Sequence, residues 1–540
     1  MYNCALFSLS CRGLGGSSST NAALYHRGSR LDYDSWNLPD WAGEDVLPFF
    51  LKSEDNRRDG LAASSRYHSV GGPQAVEDPR YESELARRFV DSFTKVQGLP
   101  KKTDFNNWDE SQEGAGRYQL TMKNGRRCDT WGGFLESEMK SMSDVLEIKT
   151  RTRALKILFE RAKNSNTNRA IGVEVMDAPI FASSTASSPS QQSYVLRLKN
   201  GGKIICCAGA VHTPYLLLHS GIGSQETLRN HGIETIVDLP GVGRNLQDQP
   251  ACVSTFKLLK RGMSVTDHVY IRGSGKLHPR ALLNYIFRRR GPLASTGCEQ
   301  GGYLRTRDNL DQPDCQIRFL SAFALDPDGV STYTKFGQMK ASGEEWPPGV
   351  SFQIIAIRPK SRGHVTIGES DPKTDRPRVS PCYLSDPNGE DLATMRRGLE
   401  LSRRWISESD AWGEGVIGEE AYPGVGEHDL ESYIKRTLHT SNALVGTCRM
   451  GVVREDMRDG DDIDEIVVNA TNLHLRGVEN VVIADASVIP SIPGGQTVAP
   501  TIMIAERAAD FILKDKGSRS AAESSSHVRR SVKEIVAMGQ

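Results

Sequence analysis

The chain has no excess of charge of either sign. Among its 540 residues, 67 Lys and Arg face 67 Asp and Glu, a formal net charge of +0. Such a balance offers no overall field to attract polyanions, which argues against nucleic acid as the main partner. Long apolar runs are also missing: apolar residues make up 38% of the chain, and none of their runs approaches membrane-spanning length. That composition fits a water-soluble globular protein. The 10 cysteines include no CxxC pair, and Cys206 and Cys207 stand side by side in an apolar strand. Buried reduced thiols are therefore expected, not a disulfide framework or a metal site. No signal or transit peptide pattern is visible. The length suffices for a large core and two modules.

What the chain does have is concentrated in a few stretches. From Val478 to Leu513 it reads as a short buried strand (Val481, Val482, Ile483), a loop from Asp485, a Gly494-Gly495 turn and a helix. Pro500 suits the first helical turn, and Ile504, Ala508 and Phe511 or Ile512 recur as an apolar stripe. A helix N-terminus held close by a Gly-rich loop favours negative charge placed against it. Residues 203–223, KIICCAGAVHTPYLLLHSGIG, read as a strand (Lys203 to Ala208), a turn at Gly209 and a helix with Pro214 in its first turn, stopped by Gly221.

Elsewhere the signals are structural. Residues 80–97 form an amphipathic helix closed by Gly98, and Asn124-Gly125 marks a hairpin. Apolar and polar residues alternate over 145–177, including Leu146 and Ile148, which predicts antiparallel strands. Residues 180–193 are a Ser/Ala-rich loop. Strands are expected at Gln316 to Leu320, Ser351 to Ile357 and His364 to Gly368, with a helix from Asp391 to Trp405. The polar residues after Lys514 read as a frayed tail.

The N-terminal segment Arg12, Leu14 to Ser18, Asn21, Arg27 and Gly28 resembles the "RxLGGSSxxN…RG" segment of the glucose–methanol–choline (GMC) oxidoreductases, which are FAD enzymes. The 203–223 stretch is similar to the second motif of that family. GVGRNLQDQP (241–250) follows, with Gln249 where the family usually has His. The resemblance implies FAD as cofactor, with Leu14, Gly15, Gly16, Ser17, Asn21, Ala22, Ala23 and Leu24 along it and the Ala154 backbone against the adenine. It also implies Asp485, Gln496 and Val498 beside the flavin, and no metal. Family members open with a strand and a GxGxxG turn for the pyrophosphate. Here only 14 residues precede Gly15, and no such turn follows a strand, so the chain is expected to continue upstream of Met1.

The third family segment is Thr440 to Gly451. Alcohol-oxidising members place a His where this chain has Ala443, and a His or Asn where it has Gln496. Neither residue accepts a proton near neutral pH, and general-base catalysis is worth ~10²–10⁴-fold. His439, four residues earlier, is a candidate substitute, although a displaced His is more often structural. The stretches 296–306, 313–320, 325–333, 351–359, 439–451 and 490–509 resemble a branch needing no base, the light-driven fatty acid photodecarboxylases. That likeness implies Cys298, Arg318 and Asn442 as catalytic residues, which with Tyr333 and Gln353 would bind a long-chain fatty acid. Taken singly, Cys298 reads as a buried thiol, Arg318 as a solvated strand charge, Gln353 and Tyr333 as satisfied polar residues, and Asn442 as a turn residue.

The expected architecture is α/β: an FAD-binding doubly wound, Rossmann-like module with an α+β substrate cap built on an antiparallel sheet. Its divisions would be 1–255 (FAD-binding, without the GxGxxG turn), 256–430 (cap), 431–514 (the segment completing the site) and 515–540 (tail). The expected activity is blue-light-driven decarboxylation of long-chain fatty acids to hydrocarbons one carbon shorter. The alternatives are an FAD-dependent alcohol oxidase or dehydrogenase, and a truncated product unable to hold FAD. No transmembrane segment is expected, lipid would be reached by peripheral membrane contact, and the resemblance implies a plastid location.

Overall fold

Alternating side chains in a long antiparallel sheet create the molecule's two faces. The computed structural model describes residues 11–139, 141–161, 167–177, 192–272, 274–329, 331–453, 462–522 and 535–538. Its largest sheet runs, in order, Ile417–Tyr422, Pro250–Leu258, Gly349–Ala356, Cys315–Leu320, Gln300–Leu304, Gly114–Arg117 and Lys101–Lys102. His439–Thr440 pairs with the start of Pro250–Leu258. Every pairing is antiparallel except the last, Lys101–Lys102 with Gly114–Arg117. Cys252, Ile354, Ile317 and Ala115 point to one face, where they join Phe319 and Phe352 under the helices Glu84–Gln97 and Glu390–Ser407. Phe89 from the first helix stacks on Phe319 with centroids 4.8 Å apart, and Trp405 from the second closes the cluster. Residues one step along each strand point the other way, to the site.

This sheet is the expected cap, but it crosses the boundary placed at residue 256. The strand Pro250–Leu258 runs unbroken through it, and Lys101–Lys102 and Gly114–Arg117 come from the N-terminal part. Antiparallel pairing is indifferent to sequence distance, so local composition carries no mark of it.

The second module is parallel. Lys203–Cys206 lies between Val481–Ile483 and Ile535–Met538, and leads directly into the helix Gly209–His219. That helix begins five residues ahead of Pro214, so the proline sits inside it and not in its first turn. The C-terminal helix spans Val498–Ala522, past the expected end at Lys514, and 535–538 adds a strand where a frayed tail was expected. Thr152–Arg161 and Asn168–Asp177 pair as antiparallel strands, whereas Leu146 and Ile148 lie in the preceding loop. Of the 180–193 loop, residues 180–191 lie outside the described residues. The hairpin at Asn124-Gly125 forms with φ of 54° and 70°, and Gly98 ends its helix at φ 66°. Cys128, Cys206, Cys252, Cys298, Cys315 and Cys448 are buried thiols, but Cys207 and Cys382 are exposed.

Candidate active site

Strand register sets the site. One rank across the sheet reads Val253, Gln353, Arg318, Gly301, Gly116, and the next on the same face reads His439, Ala251, Ile355, Gln316, Tyr303, Gly114. Gly301 is dictated by its neighbours: a Cβ there would come within 2.1 Å of the Ile317 carbonyl and 2.2 Å of the Tyr118 hydroxyl. Arg318 is 9% exposed, so it is a buried cation and not a surface charge. Its Nη1 donates to Gln353 Oε1 at 3.4 Å, while its Nε is buried without a hydrogen-bond partner. No carboxylate pairs with it among the described residues. A buried guanidinium with a free edge is costly unless an anion fills it, and its geometry matches a carboxylate.

Gln353 links this cation to His439. The His439 Nδ1 lies 3.4 Å from the Thr437 carbonyl, which can only accept, so Nδ1 carries the proton. Its Nε2 lone pair then accepts from Gln353 Nε2 at 3.0 Å. Burial lowers the pKa of His439 to about 4. The candidate substitute base is thus neutral near pH 7, with both ring nitrogens engaged.

Cys298 is buried near Arg318. Burial pushes its thiol pKa up to about 11 despite the nearby guanidinium, so the S–H stays protonated at neutral pH. Ala443 is 5% exposed, and its N–H donates to Asp248 Oδ1 at 2.8 Å. The Thr440 and Tyr383 hydroxyls both donate to Asp248 Oδ2, which ties down the turn carrying Asn442, itself exposed at φ 59°. Burial raises the pKa of Asp248, and those donors oppose the rise. Tyr333 lies in the helix Thr332–Ser342, but its side chain is outside the described residues.

The loop before the C-terminal helix is held from three sides. Gln249 Nε2 lies 3.2 Å from each of the Pro493 and Gly495 carbonyls and donates to them. Asp32 accepts from the Gly494 N–H at 3.0 Å and pairs with Arg358 at 2.7 Å. His26 packs so closely that a Cβ on Gly495 would lie 2.0 Å from its Nδ1. Beyond this loop, Gln496 Nε2 donates to Gln316 Oε1 at 3.1 Å, and Gln496 Oε1 is buried without a partner. Gln316 in turn donates to Tyr303 and Tyr118 at 2.8 and 3.2 Å. The half-buried Val498 begins the helix.

At the other end, Gly15 and Gly16 adopt φ of 83° and 53°, and a Cβ on Gly16 would meet nothing within 4 Å. Ser17 lies in the same turn, and the exposed Leu14 precedes it. Arg127 fastens the turn through Asn21, donating to its Oδ1 at 2.6 Å and its carbonyl at 2.7 Å. Ala22 is half-buried, and Ala23 and Leu24 are buried. Ala154 lies half-buried in Thr152–Arg161. The Asp485 carboxylate caps the neighbouring helix, accepting at Oδ2 from Gly209 N at 2.9 Å and Thr213 Oγ1 at 2.6 Å, and at Oδ1 from Ser487 N at 2.8 Å.

A free acceptor on Gln496, a Gly-Gly loop and a helix N-terminus suit the polar edge of a flavin, and the Gly15-Gly16 turn offers backbone to the rest of FAD. Sequence reasoning missed Asp248, Asp32, Arg358 and the Gln316–Tyr303–Tyr118 cluster. Their one signal was an acidic residue or glutamine inside otherwise apolar surroundings, which periodicity does not weigh.

Residues 3–251 and 359–505 match the N- and C-terminal models of the GMC oxidoreductases. The chain is 41% identical over 506 residues to the chloroplastic fatty acid photodecarboxylase of Chlamydomonas reinhardtii, covering 93% of this chain and 77% of that one. It is 33% identical over 510 residues to an alcohol dehydrogenase (acceptor) of Pseudomonas putida, covering 93% and 81%. Among solved structures, the pyridoxine 4-oxidase of Mesorbium loti superposes with a TM-score of 0.73 at 25% identity, covering 94% of this chain and 85% of that one. A formate oxidase superposes with a TM-score of 0.77 at 21% identity, covering 95% and 85%, a likeness of fold. The chain belongs to the GMC oxidoreductase family of FAD-binding flavoproteins.

Proposed function

We propose that the protein decarboxylates long-chain fatty acids under blue light, giving hydrocarbons one carbon shorter. The observation that carries this reading is the free edge of Arg318, set beside an imidazole with no free basic nitrogen. Arg318 and Asn442 hold the carboxylate, Gln353 orients the guanidinium, and Tyr333 completes the polar end. Leu14 to Ser17, Asn21 to Leu24, and the backbones at Ala154, Asp485 and Val498 hold FAD, with Gln496 at its flavin end. FAD, when bound, would supply a blue-light-absorbing one-electron acceptor beside the carboxylate. The net change is RCOO⁻ + H⁺ → RH + CO2, with no external oxidant. Cys298, protonated and buried beside Arg318, keeps a hydrogen at hand for the alkyl carbon. A plastid location is proposed with the same reading, on the strength of the Chlamydomonas relative alone.

The alcohol dehydrogenase likeness keeps alcohol oxidation as the rival. The full chain, loaded with FAD, given palmitate and illuminated in blue, is expected to release pentadecane and CO2 in equal amounts, and neither in the dark. Oxidation of alcohols in the dark without hydrocarbon in the light would overturn the proposal. A chain that stays colourless after incubation with FAD and removal of the free cofactor would establish the second alternative, a product unable to hold the cofactor.

A further inference from the structure

Residues 268–298 depart from the neutrality of the whole chain. They contain Arg272, Lys276, Arg280, Arg288, Arg289 and Arg290 and no acidic residue. Within them the helix Pro279–Arg288 buries only Ala281. Leu282, Leu283, Ile286 and Phe287 fall on one stripe of that helix, and they are 39%, 53%, 48% and 78% exposed. Ile271 and Leu277, exposed at 38% and 43%, lie in the turn before it. Arg272 pairs with Glu345 at 3.0 Å, but Lys276, Arg280, Arg288 and Arg290 form no ion pair among the described residues. Contiguous exposed apolar patches rimmed by charged residues mark protein or membrane interaction sites.

We infer that this helix is a membrane-docking element that lies in the interface of an anionic bilayer. The apolar stripe would enter the acyl boundary while the arginines at the helix ends meet anionic headgroups. Charge decides the occupant: an unpaired cationic rim around a shallow apolar stripe complements a headgroup layer. No helix among the described residues is long and apolar enough to cross a membrane, so the contact is peripheral. The chain leaves the helix at Arg288 and, through the short Pro292–Ala294 turn, reaches Cys298 at the site. A docked helix would therefore bring the site wall to the surface where fatty acids partition. This last step rests on the fatty acid reading above, but the docking does not.

Flotation of the full chain with phosphatidylcholine vesicles, with and without about one third phosphatidylglycerol, tests the inference. Binding is expected to the anionic vesicles and to fall as salt rises. The double variant L283E/F287E is expected to lose about tenfold or more of it. The pair R288Q/R290Q should lower binding to anionic vesicles by about tenfold and leave the weak binding to phosphatidylcholine unchanged. Both pairs change exposed residues, so thermal melts should match the parent and show the variants folded. Absence of binding to either vesicle, or equal binding by L283E/F287E, overturns the inference. So does a concentration-dependent dimer in sedimentation that this variant abolishes, since the stripe would then face a second copy. Binding without light-driven hydrocarbon release would sink only the substrate reading.

Discussion

The protein buries two arginines beside two histidines and treats them in opposite ways. Arg27 is paired with Glu54 at 2.9 Å, donates to Tyr25 at 3.1 Å and to the Tyr67 carbonyl, and lies over the Phe50 ring. His68 sits between Glu54 and Asp104, at 3.1 and 2.8 Å. Burial alone would lower its pKa, but those two hydrogen bonds outweigh it, and the net shift is upward. Arg318 has an amide in place of a carboxylate, and His439 has an amide and a carbonyl. The first cluster is internally neutralised and holds the fold. The second is left short of one anion, and the proposed fatty acid carboxylate would supply it.

The largest effect is expected from opening the closed cluster. Glu54→Gln leaves Arg27 buried and unpaired, and should cost ~3–5 kcal/mol of stability, read from denaturant unfolding. If Glu54→Gln melts with the parent protein, the contrast between the clusters fails. Arg318→Met, which removes an already uncompensated charge, should leave the melting point unchanged or raise it while abolishing saturable binding of fatty acid.

The two imidazoles should also tilt stability in opposite directions with pH. His439 has its pKa depressed to about 4 in the fold. As pH falls from about 6.5 the unfolded chain takes up a proton that the folded chain refuses, so stability drops until about pH 4 and then levels. The drop from this residue is about 3 kcal/mol, from 1.36 kcal/mol per pKa unit. His26 and His212, both also lowered to about 4 by burial, add to the same limb. The contribution of His68, with its raised pKa, is present in full below about 6.5 and is lost as pH rises through its folded value. Unfolding curves from pH 4 to 9 should show His439→Gln flattening the acid limb and His68→Gln flattening the neutral-to-alkaline one. His439→Gln should also retain light-driven turnover, which a catalytic base could not survive.

Much of this was legible in residue order, and the remainder depended on register. The Gly494-Gly495 turn, the C-terminal helix, the hairpin at Asn124 and the Lys203–Cys206 strand each carry local turn or capping chemistry, so sequence alone places them. Arg318 shows the limit. In its strand it alternates with Ile317 and Phe319, a pattern that equally describes a solvated face. Only the pairing of Gly301 and Gln353 on either side, together with the cover over that face, makes it a buried cation. Asp248 lay unnoticed for the same reason, since its donors include groups at positions 383, 440 and 443, far along the chain. The expected break at 256 falls inside the strand Pro250–Leu258, whose partners Gly349–Ala356, Ile417–Tyr422 and His439–Thr440 all come later in the chain, so no compositional edge marks the crossing.

The smallest change should be the most instructive. Gln353→Glu is nearly isosteric and would give Arg318 the partner that Glu54 gives Arg27. Its carboxylate would close the guanidinium edge by charge-assisted contact, so a fatty acid would have to compete with an internal anion. The KM for palmitate under constant blue light should rise roughly tenfold, equal to about 1.4 kcal/mol, with less change in kcat. His439, now facing a carboxylate, should titrate at a higher pH, which NMR of its ring protons would follow. Gln353→Met separates charge from lost orientation, because it removes the amide yet leaves Arg318 unpaired, and should raise KM less than the acid does. An unchanged KM in Gln353→Glu would show that the fatty acid carboxylate does not rest on Arg318, and the deficit in this cluster would need another anion to explain it.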